Sequence, residues 1–498
     1  MLHSIIRIPD HPPLTVLRDF LLDAGYCSNR LSDELGLSRA LNADFSNLAP
    51  LLERTSGEDV LHVLSRLFFV GWPVPIEICH KHIPAPILQL CLQANVVIAD
   101  GAELSPNVIF VPFENVLLFA ADAPRLRGSN PDVVMGPSST TNLISKTLIR
   151  SQTETLLDIG TGTGVLATVA GSFSKQVFGT DINQRAIDFA RFNAALNGIS
   201  NAQFHAGDAF APVDGYRFSR IVANPPFFIT PRKNFTYSDS PLELDGFTHK
   251  LAVEAPDYLE EGGLFQMICE WVELEGEPWQ ARLRSWTDNR GCDVLVLKGP
   301  SSKPIDYAER RYHEAKALNT GRFEALLSER SAYFREHRIR QIMSGIITMR
   351  KRKGSNWFSV FTGDITVDSS KAIQERLDAL TMLSEYTDAH WLDSRFYFAP
   401  NAAITQTQSF NGHEWQLNRI EISKPYCIND QLQVDATVLP TIELFDGRNT
   451  VAAIAERTAD ALSISVDEST TRCLALAKRL AASSFILPAA PRENSRQE

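Results

Sequence analysis

Between residues 155 and 271 short apolar runs alternate with stretches of helical period, and that rhythm leaves few folds open. TLLDIG, QVFGTD, AQFHAGD, RIVANPP and GLFQMICEW read as strands, while GVLATVAGSF, NQRAIDFARFNAALNG and THKLAVEAPDYL place apolar residues at helical spacing. Strand–helix–strand repetition predicts a parallel sheet with helices on both faces, because each crossover must carry the chain back to the same edge. The segments CDVLVLKG and GIITMRKR are expected to pair and close the sheet with an antiparallel edge strand. The expected class is therefore α/β, a doubly wound sheet, whose ligands lie beyond the carboxyl ends of the strands.

A chain of 498 residues exceeds one compact core and suggests about three domains. Its net charge of −11 is unevenly spread. Residues 1–130 carry nine Lys or Arg against fourteen Asp or Glu, residues 131–354 are close to balanced at 27 against 26, and residues 355–498 hold twelve against nineteen. The expected domains follow these shifts. Residues 1–130 form a helical, winged-helix-like region, 131–354 the α/β domain, and 355–498 an α+β, winged-helix-like region. Helices such as EDVLHVLSRLFFVG, with Gly71 as a stop, precede the alternating NVIFVPFENVLLFAAD, which reads as a hairpin. Acidic ends oppose binding driven by phosphate contacts, so docking or scaffold roles suit them better. FREHRIRQIMSGIITMRKRKG, with seven Arg or Lys, is the one local basic stretch.

No apolar run reaches the length that spans a bilayer, and prolines break the N-terminal segment before a signal-like core forms, so the expectation is a cytoplasmic protein without a membrane role. Seven cysteines without a CxxC pair give neither a disulfide framework nor a zinc ribbon, and CHKH at 79–82 lacks companions at matching spacing. No metal site is expected.

The chemistry concentrates at the strand ends. Gly160, Gly162 and Gly164 make GxGxG, whereas a dinucleotide loop would need glycine at Val165. Three glycines still permit a tight turn and close backbone approach to a flat ligand. Asp158 places an anion at that turn, which repels phosphate and holds an ammonium group. Asp181 ends the next strand, where a carboxylate accepts from two ribose hydroxyls, and Asp208 ends the third, within reach of an adenine amino group. Amine, ribose and adenine in that order describe S-adenosylmethionine.

The fourth strand ends in NPPF, Asn224 to Phe227. An amide or aromatic amine nitrogen has a delocalised lone pair and must be turned toward tetrahedral geometry before it attacks a methyl group. The side-chain carbonyl of Asn224 and the backbone carbonyl of Pro225 are placed to accept both amino hydrogens. Pro225 and Pro226 stiffen that array, and Phe227 offers a ring face to a planar acceptor.

With these residues the chain resembles the class I S-adenosylmethionine-dependent methyltransferases built on a "methyltransferase small" domain, which include release-factor glutamine methyltransferases and ribosomal-RNA guanine N2 methyltransferases. The resemblance spans roughly residues 135–350 and rests on DIGTGTG, TDIN, GDAF and NPPF. It implies a Rossmann-like methyltransferase fold, S-adenosylmethionine as donor and S-adenosylhomocysteine as product. It also implies that Asp158, Gly160, Gly162 and Gly164 line the methionine part, Asp181 the ribose, and Asp208 with Ala209 the adenine, with Thr161 and Ile182 among the cofactor-binding residues. Asn224, beside the cofactor, would hold the target nitrogen together with Pro225, Pro226 and Phe227. The three-part layout also resembles a less characterised bacterial group with a helical N-terminal and a winged C-terminal region.

The acceptor stays open at this level: a protein or peptide amide is favoured, a small-molecule amide fits, and an exocyclic amine of rRNA or DNA fits through Arg335–Lys353 with Arg232 and Lys233. A scaffold retaining the pocket would have no use for Asn224 and two prolines, and an NAD-dependent dehydrogenase is opposed by Val165. Oligomeric state cannot be read from the sequence.

Overall fold

The computed structural model describes residues 6–37, 48–123, 132–231, 236–311, 320–362, 369–400, 402–424 and 431–489. By contact they fall into two units, one of residues 1–292 and 300–352 and one of 293–299 and 353–498.

The first unit begins with short helices around a common apolar core that includes Leu17, Leu21, Leu64, Phe68 and Leu90. The segment expected as one helix is two: Asp59 caps Val60–Leu64, accepting from the backbone N–H of Leu61 and His62, and a π-helical turn follows over Ser65–Val70. Gly71 ends it at φ 75°. Three small strands, β1 (Val74–Pro75), β2 (Val97–Asp100) and β3 (Glu103–Pro106), form a sheet in the order β1-β3-β2. The hairpin of β4 (Val108–Phe113) and β5 (Leu117–Asp122) is separate, with Glu114 and Asn115 both at positive φ in its turn.

The central sheet of this unit is built from β6 (Thr153–Ile159), β7 (Ser174–Asp181), β8 (Ala202–Ala206), β9 (Phe218–Ala223), β10 (Leu259–Leu274) and β12 (Ile339–Lys351). Their order is β8-β7-β6-β9-β10-β12. The first five run parallel, as the strand–helix rhythm requires, and β12 pairs antiparallel with β10. Parallel strands buried on both faces need continuous apolar runs, which Leu156, Leu157, Ile221 and Val222 supply. The last β9 residue, Ala223, pairs with Met267, so β10 runs on to Leu274 past the carboxyl edge of its neighbour, with β12 alongside. Among the described residues no helix is long and apolar enough to cross a membrane.

Helix Gln184–Leu196 joins the β4–β5 hairpin to this sheet through two buried asparagines one helical turn apart. Asn193 Oδ1 accepts from the Ala120 N–H at 2.7 Å and its Nδ2 donates to the Ala120 carbonyl at 3.1 Å. Asn197 repeats the pairing with Leu118, at 3.1 and 2.8 Å. Each side-chain amide thus serves the open edge of β5 as a neighbouring strand would. The amide of Asn193 also donates to the Thr163 carbonyl at 2.9 Å, inside the glycine loop.

The second unit includes the middle of β11 (Cys292–Ser302), whose Val294 to Lys298 pair in parallel with β13 (Phe358–Thr362). Helices Ser369–Glu385, Asp388–Asp393, Val451–Leu462 and Val466–Ala482 lie with a three-stranded sheet of order β18-β14-β19 (Asp446–Thr450, Arg395–Phe398 and Ile486–Pro488). Trp391, Phe396, Ile454 and Leu480 share its core. Strands Ala403–Phe410, Trp415–Ser423 and Gln431–Val434 form a further antiparallel sheet.

Candidate active site

The sheet order sets the candidate residues side by side. Asp208 follows β8, Asp181 ends β7, the glycine loop follows β6 and Asn224 follows β9, so they stand in that sequence along one carboxyl edge. Adjacent strands are about 4.8 Å apart, so the row is roughly 14 Å long.

Gly160, Gly162 and Gly164 have φ of 66°, 54° and 77°, the left-handed region that costs an L side chain about a kilocalorie or more. Gly164 has a second reason: a Cβ there would lie 3.0 Å from the Cβ and 3.1 Å from the Cα of Ala190 on helix Gln184–Leu196. A Cβ on Gly160 would lie 3.8 Å from the Cα of Pro225, which places the loop against the NPPF segment. Thr161 N–H donates to the Thr180 carbonyl at 2.9 Å, and Gly162 N–H to Asp181 Oδ2 at 2.9 Å.

Asp181 therefore already accepts two backbone hydrogens, the second from Asn183 N at 2.9 Å. Burial raises its pKa while those two bonds oppose the shift. The following Ile182 is 68% exposed, an open apolar surface at the rim. Asp158 is buried, and its Oδ2 accepts from Thr161 Oγ1 at 2.7 Å and from the Ala167 N–H at 3.1 Å. Burial lifts its pKa to about 7, against these two hydrogen bonds and with help from the Asp181 charge.

This makes a pH prediction. A carboxyl whose folded pKa lies above the unfolded 3.8 contributes stability that is full below about 4 and is lost as pH rises to about 7. Thermal unfolding of the parent relative to Asp158→Asn is expected to show the parent losing ground across that window and running parallel above it. A constant difference from pH 4 to 8 would remove the assignment.

Asp208 is not a bare acceptor: its Oδ2 is 2.7 Å from Lys250 Nζ on helix Gly246–Glu254. Ala209 has φ 45° and its carbonyl accepts from Thr180 Oγ1 at 2.9 Å. Asn224 is half-buried, and its Nδ2 donates to Thr141 Oγ1 at 3.2 Å. Pro225 is buried and Pro226 half-buried. Phe227 is only 7% exposed, with its ring 5.0 Å from that of Phe228 at 72°. The ring expected to lie open to an acceptor is mostly covered, and the more accessible ring of the pair is Phe228. Beyond it the backbone is held by Tyr307, whose hydroxyl accepts from the Ile229 N–H at 3.2 Å and donates to Glu270 Oε2 at 2.6 Å.

Sequence reasoning missed Thr141, Lys250, Asn193 and Tyr307. Only Thr141 left a local signal, since SSTT after Gly136 and Pro137 is a helix-start pattern. The basic stretch resolves differently from the expectation of one patch. Arg335, Arg338 and Arg340 lie by the start of β12, which pairs with the end of β10 seven residues past the carboxyl end of β9, and Arg350 to Lys353 lie at its other end, about 40 Å away. Arg232 and Lys233 lie outside the described residues. Among the described residues no group of three metal-ligating side chains gathers.

Residues 137–273 match the family model of the methyltransferase small domain. A Methanocaldococcus jannaschii protein named as a protein N5-glutamine methyltransferase is 33% identical over 155 residues, 29% of this chain and 76% of that protein. The release factor glutamine methyltransferase of Vibrio cholerae is 36% identical over 22% of this chain and 42% of its own length. The ribosomal RNA small subunit methyltransferase C of Alcanivorax borkumensis is 30% identical over 23% of this chain and 31% of its own length. The chain thus spans less than half of the latter two.

Proposed function

The chain belongs to the methyltransferase small-domain family of S-adenosylmethionine-dependent methyltransferases, and from that premise we propose that it methylates a planar amide nitrogen of a protein or peptide. When bound, S-adenosylmethionine supplies an electrophilic methyl group on a sulfonium. The residues suit it: a loop with three glycines bare of side chains, a buried carboxyl at Asp158 that a cation would ionise, a carboxylate at Asp181, and apolar surface at Ile182. Asp158, Gly160, Thr161, Gly162 and Gly164 would hold the amino-acid end, Asp181 and Ile182 the ribose side, and Asp208 with Ala209 the adenine.

The observation that carries the reading is the set of Asn224. One hydrogen of its NH2 group goes to Thr141, and its carbonyl oxygen is the end offered to an acceptor. That oxygen and the Pro225 carbonyl accept the two hydrogens of the incoming amide nitrogen and turn its lone pair out of conjugation. Positioning does most of the work, and the hydrogen bonds strengthen as the nitrogen gains positive charge.

Incubation of the full chain with methyl-labelled S-adenosylmethionine and cell extract tests the acceptor class. Label is expected in material that protease degrades and nuclease leaves intact. Label lost to nuclease would move the acceptor to nucleic acid, and the cations Arg335, Arg338 and Arg340 by the start of β12 would then be candidate contacts. Absence of transfer in any fraction overturns the proposal.

A further inference from the structure

We propose that Thr141, in the cap of helix Ser139–Thr147, is a positioning residue for Asn224, holding its amide by the nitrogen so that the carbonyl end faces the reacting edge. The proposal rests on the reading of Asn224 as the group that holds the acceptor.

An asparagine amide has a donor end and an acceptor end of nearly equal shape, so something must choose between them. Here the donor end meets one hydroxyl. Thr141 Oγ1 accepts from the Ser138 N–H at 3.3 Å and lies 3.2 Å from Asn224 Nδ2. It also lies 3.1 Å from Ser138 Oγ, which accepts from the Thr141 N–H at 3.3 Å and is 2.8 Å from Thr140 Oγ1. These bonds are the reciprocal capping box of the helix start.

A hydroxyl has one proton and two lone pairs. With both lone pairs of Thr141 Oγ1 facing N–H groups, its proton goes to Ser138 Oγ, and the proton of Ser138 goes to Thr140. The chain of hydroxyls then runs in one direction, away from Asn224. Thr141 is buried, so water is a poor substitute partner. Were Asn224 reversed, its carbonyl would meet the lone pairs of Thr141. Relief would require the three hydroxyls to turn together, Thr140 donating to Ser138, Ser138 to Thr141 and Thr141 to Asn224. In the arrangement present Thr141 holds the amide by its nitrogen and leaves Oδ1 for the acceptor.

The test compares Thr141→Val with Thr141→Ser. Valine keeps the shape and the backbone N–H that Ser138 caps, but it removes the hydroxyl. Three quantities are read: the side-chain amide 1H–15N signals of Asn224, identified by their absence in Asn224→Asp; the cofactor dissociation constant; and methyl incorporation into the protease-sensitive fraction. Thr141→Val is expected to shift or broaden the Asn224 amide signals and to lower incorporation roughly 10- to 100-fold through misplacement of the carbonyl. Cofactor affinity is expected to stay within about twofold, since the hydrogen bonds of the cap go to Asn224 and to the cap itself rather than to the glycine loop. Thr141→Ser is expected to recover most of the loss.

Parental incorporation by Thr141→Val, or lost incorporation with unmoved Asn224 signals, overturns the proposal. Failure of serine to recover the loss does so too. If Asn224→Ala itself methylates at the parental rate, the reading of the acceptor site is wrong, whatever Thr141 does.

Discussion

Asn224→Ala is expected to lower methyl transfer by about 100-fold or more and to leave the cofactor dissociation constant within about threefold, as for removal of one transition-state hydrogen-bonding group. The side chain sits after β9, on the far side of the glycine loop from Asp181 and Asp208, so its loss leaves the nucleoside end untouched. On the proposed reading its carbonyl accepts from a nitrogen that becomes positive as the methyl arrives, and such a bond appears in the rate rather than in binding. Asn224→Asp is expected to be poor as well, for a reason the structure adds. Aspartate has no hydrogen to give Thr141, so the bond that holds Asn224 by its nitrogen is lost or must run the other way. It also adds an anion beside the sulfonium, which favours the ground state along with the transition state. Cofactor titration and single-turnover transfer on both variants check this. Transfer by Asn224→Ala at the parental rate would falsify the assignment of NPPF.

Asn193→Ala is expected to destabilise the protein by roughly 3 to 5 kcal/mol, because it leaves three buried backbone groups without partners at about 1–3 kcal/mol each. Those groups are the N–H and carbonyl of Ala120 and the carbonyl of Thr163. Such a loss is a large share of the 5–15 kcal/mol typical of a folded protein. Because Thr163 belongs to the glycine loop, cofactor affinity is expected to fall in the same variant. Denaturant unfolding measures the first effect and cofactor titration the second. A loss below about 1 kcal/mol would mean that the β5 edge finds other partners and that the hairpin is not held through this helix.

That asparagine also marks the limit of reading the chain residue by residue. In NQRAIDFARFNAALNG, Asn193 reads as a polar position on an amphipathic helix. Its partners Ala120 and Thr163 are 73 and 30 residues away, and nothing local connects them. The same holds for Lys250 with Asp208 and for Tyr307 with Ile229, pairs made by the packing of crossover helices over the sheet. Phe227 went the other way. Its place in NPPF suggested an open ring, and the fold covers it and leaves Phe228 more accessible. The basic stretch looked continuous because sequence spacing ignores direction; an extended strand carries its two ends to opposite edges of the sheet.

What the sequence determined by itself was everything with a short period or a short span. Alternating strand and helix patterns dictate the parallel sheet, since both faces must be buried and each crossover must return. The chemistry-bearing residues follow at strand ends because a parallel sheet can place ligand-binding loops only there. Three glycines in a turn and an asparagine before two prolines are local constraints on backbone and carbonyl geometry, readable without knowing the neighbours. The tertiary structure alone decided how charged and polar groups are shared. Burial without full compensation lifts the pKa of Asp158 to about 7, and the amide nitrogen of Asn224 finds its partner in a helix-cap hydroxyl 83 residues upstream. A hydrogen bond needs its partner within about 3 Å, and only folding brings residues so far apart in sequence that close.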